Sequence, residues 1–301
     1  MYDISVIVPS YNSFLTIEQT LGHLLEQKGG SAKEIVVVDS SDDAKTRDIL
    51  TQFEKKGVRI VRLAHKTMPG TGRNLGAAQC TGKTLAFIDS DAYPAPDWLE
   101  RITETASSGC RVGGGALKLP EFQRKNALAL AQYFLQFNEF LDFGPRRVKM
   151  FVPSVNLFCE RSLFEEVGGF PEIRACEDVL FCIKAGKTAP VYFEPAIKIY
   201  HIFREEMGSY IRNQVVLGKA ILIYRRMHYN SWMYRGALVP MLLLPGFVLV
   251  KFFRITWRIL QLGNARELGG FLYSLPLFLV GLWYWSVGFF QACFEPEKAR
   301  V

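Results

Sequence analysis

The sequence predicts an α/β fold: a mostly parallel sheet flanked by helices, continued by a C-terminal membrane-associated helical region. Three observations carry that prediction. Short apolar runs alternate with amphipathic stretches through the first third of the chain, the pattern of βαβ units on a parallel sheet. The run at 84–88 stops abruptly at Asp89-Ser90-Asp91, so a buried strand ends in two carboxylates. Further on, the stretches 236–250 and 269–294 carry no charged residue.

In order along the chain, residues 4–9 read as the first strand, and Ser10-Tyr11-Asn12-Ser13 as a polar loop leading into a helix over 16–27, where Ile17, Leu21, Leu24 and Leu25 recur at helical spacing. Residues 34–39 form a second buried strand ending in Asp39, followed by a helix through Phe53, and 59–63 form a third strand. Gly70, Gly72 and Gly76 suggest a tight loop opening a small-residue helix. Their GxGxxxG spacing, and a place after the third strand instead of the first, argue against a dinucleotide fingerprint. Arg73 within this stretch is either solvated or aimed at a phosphate or a base.

The acids at 89 and 91 admit two readings. They form an Asp-rich turn before the helix that starts near Pro96, or they converge on a hard divalent cation at the carboxyl end of a strand, where open α/β sheets bind ligands. Residues 126–143 read as a helix packing on an apolar surface, 152–159 as a strand, 161–167 as a helix and Gly168-Gly169-Phe170 as its stop. Glu177-Asp178 opens another apolar-periodic segment, as dipole-compensating acids or as a general base. Residues 197–201 end a strand in His201, which is either structural or a metal ligand.

Composition bounds the function. With 301 residues, 49% apolar and 22% charged, the chain buries a core and is not disordered. The formal net charge of +7 points to an anionic partner. Lys and Arg are dispersed and not interleaved with aromatics as a nucleic-acid face requires, so no nucleic acid is expected, and the excess suits phosphate or an anionic membrane surface. Six cysteines (Cys80, Cys110, Cys159, Cys176, Cys182, Cys293) form no CxxC pair or metal-like spacing, and no secretory signal precedes Ile4; a reduced, cytoplasmic setting without disulfides is expected.

Of the two uncharged stretches, 269–294 exceeds the about 20 residues that cross a bilayer, and 236–250 is marginal. Lys251, Arg254, Arg258 and Arg266 lie between them. A simple hairpin anchoring a cytoplasmic domain would put these four outside, against the positive-inside tendency. The expectation is a segment that dips in and returns, kinked at its prolines, with 251–262 as an amphipathic helix on the cytoplasmic face.

The run Val6-Ile-Val-Pro-Ser-Tyr-Asn12, Asp39 in Val-Val-Val-Asp-Ser-Ser, Gly72-Arg-Asn-Leu-Gly76, Asp89-Ser-Asp91, Gly168-Gly-Phe170, Glu177-Asp178 and His201 occur in the order and approximate spacing of the family 2 glycosyltransferases. The sequence resembles that family, with its GT-A (Rossmann-like) fold, over roughly residues 2–230. The resemblance implies an inverting transferase, of the hexosyltransferase type, using a nucleotide-sugar donor, with UDP favoured and GDP as the second choice. It implies that Pro9, Tyr11, Asp39 and Arg73 bind the nucleotide, that Asp89 contacts the ribose or donor, that Asp91 and His201 hold Mn²⁺ or Mg²⁺, and that Asp178 is the base, with Glu177 orienting acceptor or donor. Asp39 is followed by Ser40-Ser41 where many members carry Asp-Gly-Ser, so base recognition is expected to differ there.

These expectations divide the chain into a catalytic domain over 1–230 and membrane-embedded or membrane-associated helices over 231–301. The catalytic domain would be cytoplasmic on an inner or plasma membrane, and the acceptor a lipid-linked or polysaccharide hydroxyl. Two rivals remain: a nucleotidyltransferase, which would usually carry a glycine-rich phosphate loop after the first strand, and a catalytically inactive membrane scaffold.

Overall fold

A computed structural model of the protein describes residues 3–28, 33–173, 175–229 and 231–295. The elements are β1 (Ile4–Ser10), α1 (Ile17–Leu25), β2 (Lys33–Asp39), α2 (Ala44–Glu54), β3 (Arg59–Arg62), α3 (Pro69–Gln79), β4 (Thr84–Phe87), β5 (Ala92–Pro94), α4 (Trp98–Ser107), β6 (Val112–Lys118), α5 (Ala127–Phe137), β7 (Arg147–Val148), β8 (Leu157–Glu160), α6 (Arg161–Glu166), α7 (Glu177–Ala185), β9 (Val191–His201), α8 (Met207–His228), α9 (Leu238–Gln261) and α10 (Ala265–Cys293). Packing divides them into two units. One comprises the described residues up to Lys118 with Phe140–Ile202; the other comprises Leu119–Glu139 with the described residues from Phe203 onward.

The first unit is built on one sheet in the order β3-β2-β1-β4-β8-β6-β9-β5, with β7 paired to β9. Val6, Ile7, Val8, Val36, Val37, Leu85, Ala86 and Phe87 are fully or almost fully buried, as near-continuous apolar strands between two helical layers require. β1 runs parallel to β2 and β4, with Ser10 opposite Asp39 and Ile7 opposite Phe87. The carboxyl ends bearing Ser10, Asp39 and the turn at Asp89 therefore open at one edge. Beyond β4 the sheet is mixed: β8 is antiparallel to β4 and β6, β9 parallel to β6, and β5 antiparallel to β9. The expected mostly parallel sheet is thus confined to its N-terminal half. All six cysteines are free thiols.

Two local expectations are corrected in this unit. Gly70, Gly72 and Gly76 lie inside α3 instead of in a loop before it. Gly76 serves close packing: a Cβ there would sit 2.5 Å from Ile7 Cγ2, so the helix lies directly on β1. The stretch expected as a strand over 152–159 is a short 3-10 turn at Ser154–Asn156 followed by β8.

The second unit is helical. α5 starts at an Asn126 cap that accepts from the N–H groups of Leu128 and Ala129, and it ends at Phe137, short of the expected 143. α10 packs along α5, with the rings of Phe134 and Phe271 edge to face at 5.5 Å, and along α8, where the Tyr210 hydroxyl donates to the Leu277 carbonyl at 2.8 Å. α8 and α10 meet at backbone distance: a Cβ on Gly218 would lie 1.9 Å from the Trp285 carbonyl oxygen, and one on Gly288 would lie 2.0 Å from that of Val215. α9 returns along α10 through Phe252–Phe278 and Phe247–Phe289 ring contacts. Leu119–Glu139 and α8, assigned to the catalytic domain by the sequence reading, thus pack with the C-terminal helices.

α9 and α10 are each long and apolar enough to cross a membrane, by length and composition. The segment 251–262 is not a separate amphipathic helix. It is the second half of a continuous α9, and Pro245 and Pro276 lie inside α9 and α10 without ending either. Of its basic residues Arg258 pairs with Glu139 at 3.0 Å, and Arg254, which stays exposed, approaches the same carboxylate at 3.9 Å.

Replacing Gly218 or Gly288 by Val forces α8 off α10. The expected cost is that of overpacking, about 1–3 kcal/mol or more, read as a lowered midpoint in thermal unfolding; an unchanged midpoint would show that the contact between the two glycine-bearing faces gives way freely.

Candidate active site

Two clusters form at the carboxyl edge of the sheet. The first joins the ends of β1 and β2. Asp39 is buried and accepts from Ser41 Oγ at 2.6 Å and Ser10 Oγ at 3.2 Å. Asn12 follows in the left-handed region at φ 50°, a conformation asparagine tolerates. Its N–H donates to Ser41 Oγ at 2.8 Å and its amide to Asp42 Oδ1 at 2.6 Å. The Asn12 amide, helped by a Tyr11 hydroxyl at 3.2 Å, holds the exposed Asp42 carboxyl below its usual range. Lys66 stands over the Tyr11 ring at 4.0 Å, and Pro9 is half-buried at the penultimate position of β1. The result is a hydrogen-bonded acidic floor beside an aromatic ring with a cation above it.

The second cluster is built around Arg73. α3 directs this side chain inward until it is almost completely buried, where Nη2 meets Asp89 Oδ1 at 2.5 Å and Nη1 meets Glu177 Oε1 at 2.9 Å. Burial opposes the charge, and Asp89 and Glu177 more than offset it, so the guanidinium pKa is raised. The Phe170 ring lies 5.6 Å from the guanidinium carbon. Asn74 fixes that ring's backbone by donating to the Phe170 carbonyl at 2.8 Å and accepting from its N–H at 2.9 Å. Arg73, expected at a phosphate or base, has both terminal nitrogens engaged by carboxylates.

Asp178 stands next to Glu177 in the first turn of α7, after Cys176 in the left-handed region at φ 66°. Its oxygens accept from Val179 N at 2.8 Å and Ser154 N at 3.2 Å. Burial, then the neighbouring Glu177 charge, pushes its pKa up to about 7, although the two N–H groups and Arg73 pull the other way. The acids are therefore more than dipole compensation: Glu177 is spent on Arg73, while Asp178 is tuned toward neutrality.

Asp91 and His201 come together because Ala92 pairs with His201 across β5 and β9, leaving Asp91 Oδ1 3.6 Å from His201 Nε2. The Asp91 carbonyl accepts from Ile202 N at 2.7 Å, the Ser90 carbonyl accepts from Thr20 Oγ1 at 3.0 Å, and Tyr93 stacks on Tyr200 with centroids at 5.0 Å. Among the described residues no three His, Cys, Asp or Glu side chains gather as a full metal cage. One carboxylate and one imidazole nevertheless fit Mg²⁺ or Mn²⁺, which take few protein ligands and fill the remainder with phosphate oxygens and water; the nitrogen ligand inclines the pair toward Mn²⁺.

Sequence reasoning missed Asn12 as a network centre, Asp42, Lys66, Asn74 and the Ser154 N–H. Asn12 sat inside a motif already noted. Lys66 and Ser154 carry no local signal, because each is brought in by tertiary packing.

The fold and the strand-end acids place the protein in the GT-A class of α/β proteins. The chain belongs to glycosyl transferase family 2, whose family model matches residues 5–168, more than half its length. Glycosyltransferase AglE of Haloferax volcanii is 31% identical over 172 residues, 56% of each chain. The pre-mycofactocin glycosyltransferase of Mycobacterium tuberculosis is 25% identical over 229 residues, 72% of this chain and 46% of that one. The chain spans about half the length of these curated relatives. Among solved structures, mannosyltransferase PcManGT from Pyrobaculum calidifontis, in complex with GDP-Man and Mn²⁺, matches with TM-score 0.65 at 15% identity, covering 97% of this chain and 87% of its own. Residues 1–349 of S. aureus TarS, in complex with UDP-GlcNAc, match with TM-score 0.55 at 20% identity, covering 99% and 91%. At those identities the likeness is one of fold.

Removing the Arg73 guanidinium leaves Asp89 and Glu177 facing each other without a cation. Breaking a buried pair costs about 3–5 kcal/mol, so Arg73→Met is expected to lower the unfolding midpoint strongly and Arg73→Lys, which cannot span both acids, to recover only part of it. Full recovery by Lys would show that charge alone suffices.

Proposed function

We propose that the protein is an inverting glycosyltransferase that moves a sugar from a nucleoside-diphosphate donor to a hydroxyl of a membrane-linked or polysaccharide acceptor. The observation that carries the reading is the Arg73 bridge. By binding Asp89 and Glu177 it fixes Asp91, two residues beyond one end, and Asp178, next to the other, on either side of a single guanidinium. The named relatives support donor use of this kind, and the nucleotide-bound neighbours carry GDP-Man in one case and UDP-GlcNAc in the other; UDP is kept as the preferred donor nucleotide and GDP as the second from the sequence resemblance.

In this reading the nucleotide base and ribose lie over Pro9, Tyr11 and Asp39, and Asp42 and Lys66 border the same floor. Asp91 and His201 would hold Mn²⁺ or Mg²⁺, which when bound neutralises charge growing on the diphosphate leaving group. Asp89 holds the turn rigid through Arg73. Asp178 takes the proton from the acceptor hydroxyl as its oxygen attacks the sugar C1 from the face opposite the leaving diphosphate, which inverts that centre. The two backbone N–H groups on Asp178 orient the carboxylate, and its raised pKa makes it a stronger base than an ordinary aspartate. Residues 3–202, less 119–139, would form the catalytic unit, with the helical unit holding it at a membrane.

The protonated form of Asp178 cannot accept a proton. The transfer rate is therefore expected to rise with pH through about 7 and to level above it. Asp178→Asn is expected to lose roughly 10²–10⁴ in rate with donor binding retained; a variant that keeps the wild-type pH profile would remove Asp178 from the role of base.

A nucleoside diphosphate at a hundredfold excess over its dissociation constant is expected to stabilise the chain by about 2.7 kcal/mol in a Mn²⁺-dependent way, and Asp91→Ala to abolish the metal dependence. Release of free nucleoside diphosphate during turnover marks a glycosyl transfer, whereas release of pyrophosphate would make the protein a nucleotidyltransferase.

A further inference from the structure

The helical unit exposes two apolar stripes, and the way it is packed limits how a bilayer can take them. On α10, Leu272, Tyr273, Leu279, Val280, Trp283 and Phe290 are exposed, directly across the helix from a buried stripe that includes Phe271, Phe278, Gly281, Trp285 and Phe289. On α9, Leu238, Leu242, Leu249, Phe253, Trp257 and Leu260 are exposed along one face, while Ile255 and Ile259 are buried. Contiguous apolar surface of this extent marks a lipid or protein contact.

Length alone makes α9 and α10 candidates to cross a membrane, but their neighbours oppose it. α8 runs beside the second half of α10 in the same direction: Tyr210 bonds the Leu277 carbonyl, Gly218 lies against Trp285, and Arg226 Nη1 donates to the Ala292 carbonyl at 2.9 Å. The glycine contacts lock the two helices side by side at backbone distance, so α8 must take the same orientation as α10. α8 carries Arg212, Lys219, Arg225 and Arg226, with the Arg212 side chain 69% exposed. α5 lies beside the first half of α10, and the ion pairs Arg124–Glu267 and Arg258–Glu139 join this part of the unit at 2.7 and 3.0 Å. An α10 set along the bilayer normal would draw exposed charge of α8 into hydrocarbon, where charged side chains are costly.

We infer that α9 and α10 lie in the plane of a membrane, inserted into one leaflet by their exposed stripes, with α5 and α8 on the water side. Charge supports this occupant. Exposed Lys125, Arg254 and Arg266 flank the stripes, and Arg124, Lys125, Arg266 and Tyr273 line a cavity of about 450 Å³ floored by Leu130, Gly269 and Gly270, open to a lipid phosphate. Trp257, Tyr273 and Trp283 suit the interfacial depth. The positive-inside conflict of a two-span hairpin disappears, because every basic residue stays on one side. The inference rests on the membrane association proposed above and not on the transfer chemistry.

The test uses the full chain in sealed inside-out membrane vesicles, with Gln261→Cys, Gln291→Cys and Arg212→Cys placed singly and labelled by a membrane-impermeant maleimide above the background of the parent chain. All three sites labelled from the same side, before detergent is added, is the expected result. Gln261→Cys and Gln291→Cys labelled from opposite sides overturns the in-plane arrangement while leaving membrane association standing. Recovery of the chain in the soluble fraction overturns both, and nucleoside-diphosphate binding, measured separately, reports on the transfer reading alone. Independently of any variant, tryptophan fluorescence of the native chain in phosphatidylglycerol-containing vesicles should be quenched more by lipids brominated near the headgroup than near the chain ends; the reverse order overturns the inference.

Discussion

The buried guanidinium of Arg73 is the interaction on which the site depends. Its two carboxylate partners come from separate parts of the chain, Asp89 from the turn after β4 and Glu177 from the first turn of α7. A single cation in a low-dielectric setting needs both, since a buried charge without partners is costly. That demand fixes the strand-end turn against α7 without a covalent link. Of the four acids here, Asp89 and Glu177 satisfy the arginine, Asp91 approaches His201, and Asp178 accepts two backbone N–H groups. Asp178, half-buried beside a carboxylate and without a cation of its own, is left with a raised proton affinity.

Rigid support reaches the same place from two sides. Asn74 pairs through both ends of its amide with the backbone of Phe170, and that ring covers the guanidinium. The Asp-Ser-Asp turn is held through its backbone as well, by Thr20 on the Ser90 carbonyl and by Ile202 N on the Asp91 carbonyl. Preorganisation of this kind lets charge develop in a reaction without rearranging the groups around it.

The sequence revealed those parts of the fold whose signals are local. β1, β2 and β4 announce themselves as apolar runs that end in a polar or acidic residue, and each acid at a strand end lies where the reading placed it. The Arg73 bridge was illegible because its partners stand 16 and 104 residues away. The glycines of α3 read as a loop because propensity disfavours glycine in a helix, whereas contact with Ile7 overrides it. β6, with Gly113-Gly114-Gly115 at its centre, gives no strand signal at all; its state is set by pairing with β8 and β9. Pro245 and Pro276 read as interruptions of helices that run through them.

The helical unit is assembled from two separated stretches, Leu119–Glu139 lying between β6 and β7 in sequence and the remainder following β9. The chain therefore leaves the sheet unit, contributes α5, returns to finish the sheet, and leaves again. Cutting after β9 to obtain a soluble enzyme would not separate two domains. It would strand α5 inside the retained piece with Leu130 and Phe134 stripped of the α10 residues Gly270 and Phe271 that cover them, turning a packed helix into an adhesive one. The C-terminal helices are in this sense part of the folding unit, and a trimmed version of the protein would have to carry a rebuilt α5 surface to stay in solution.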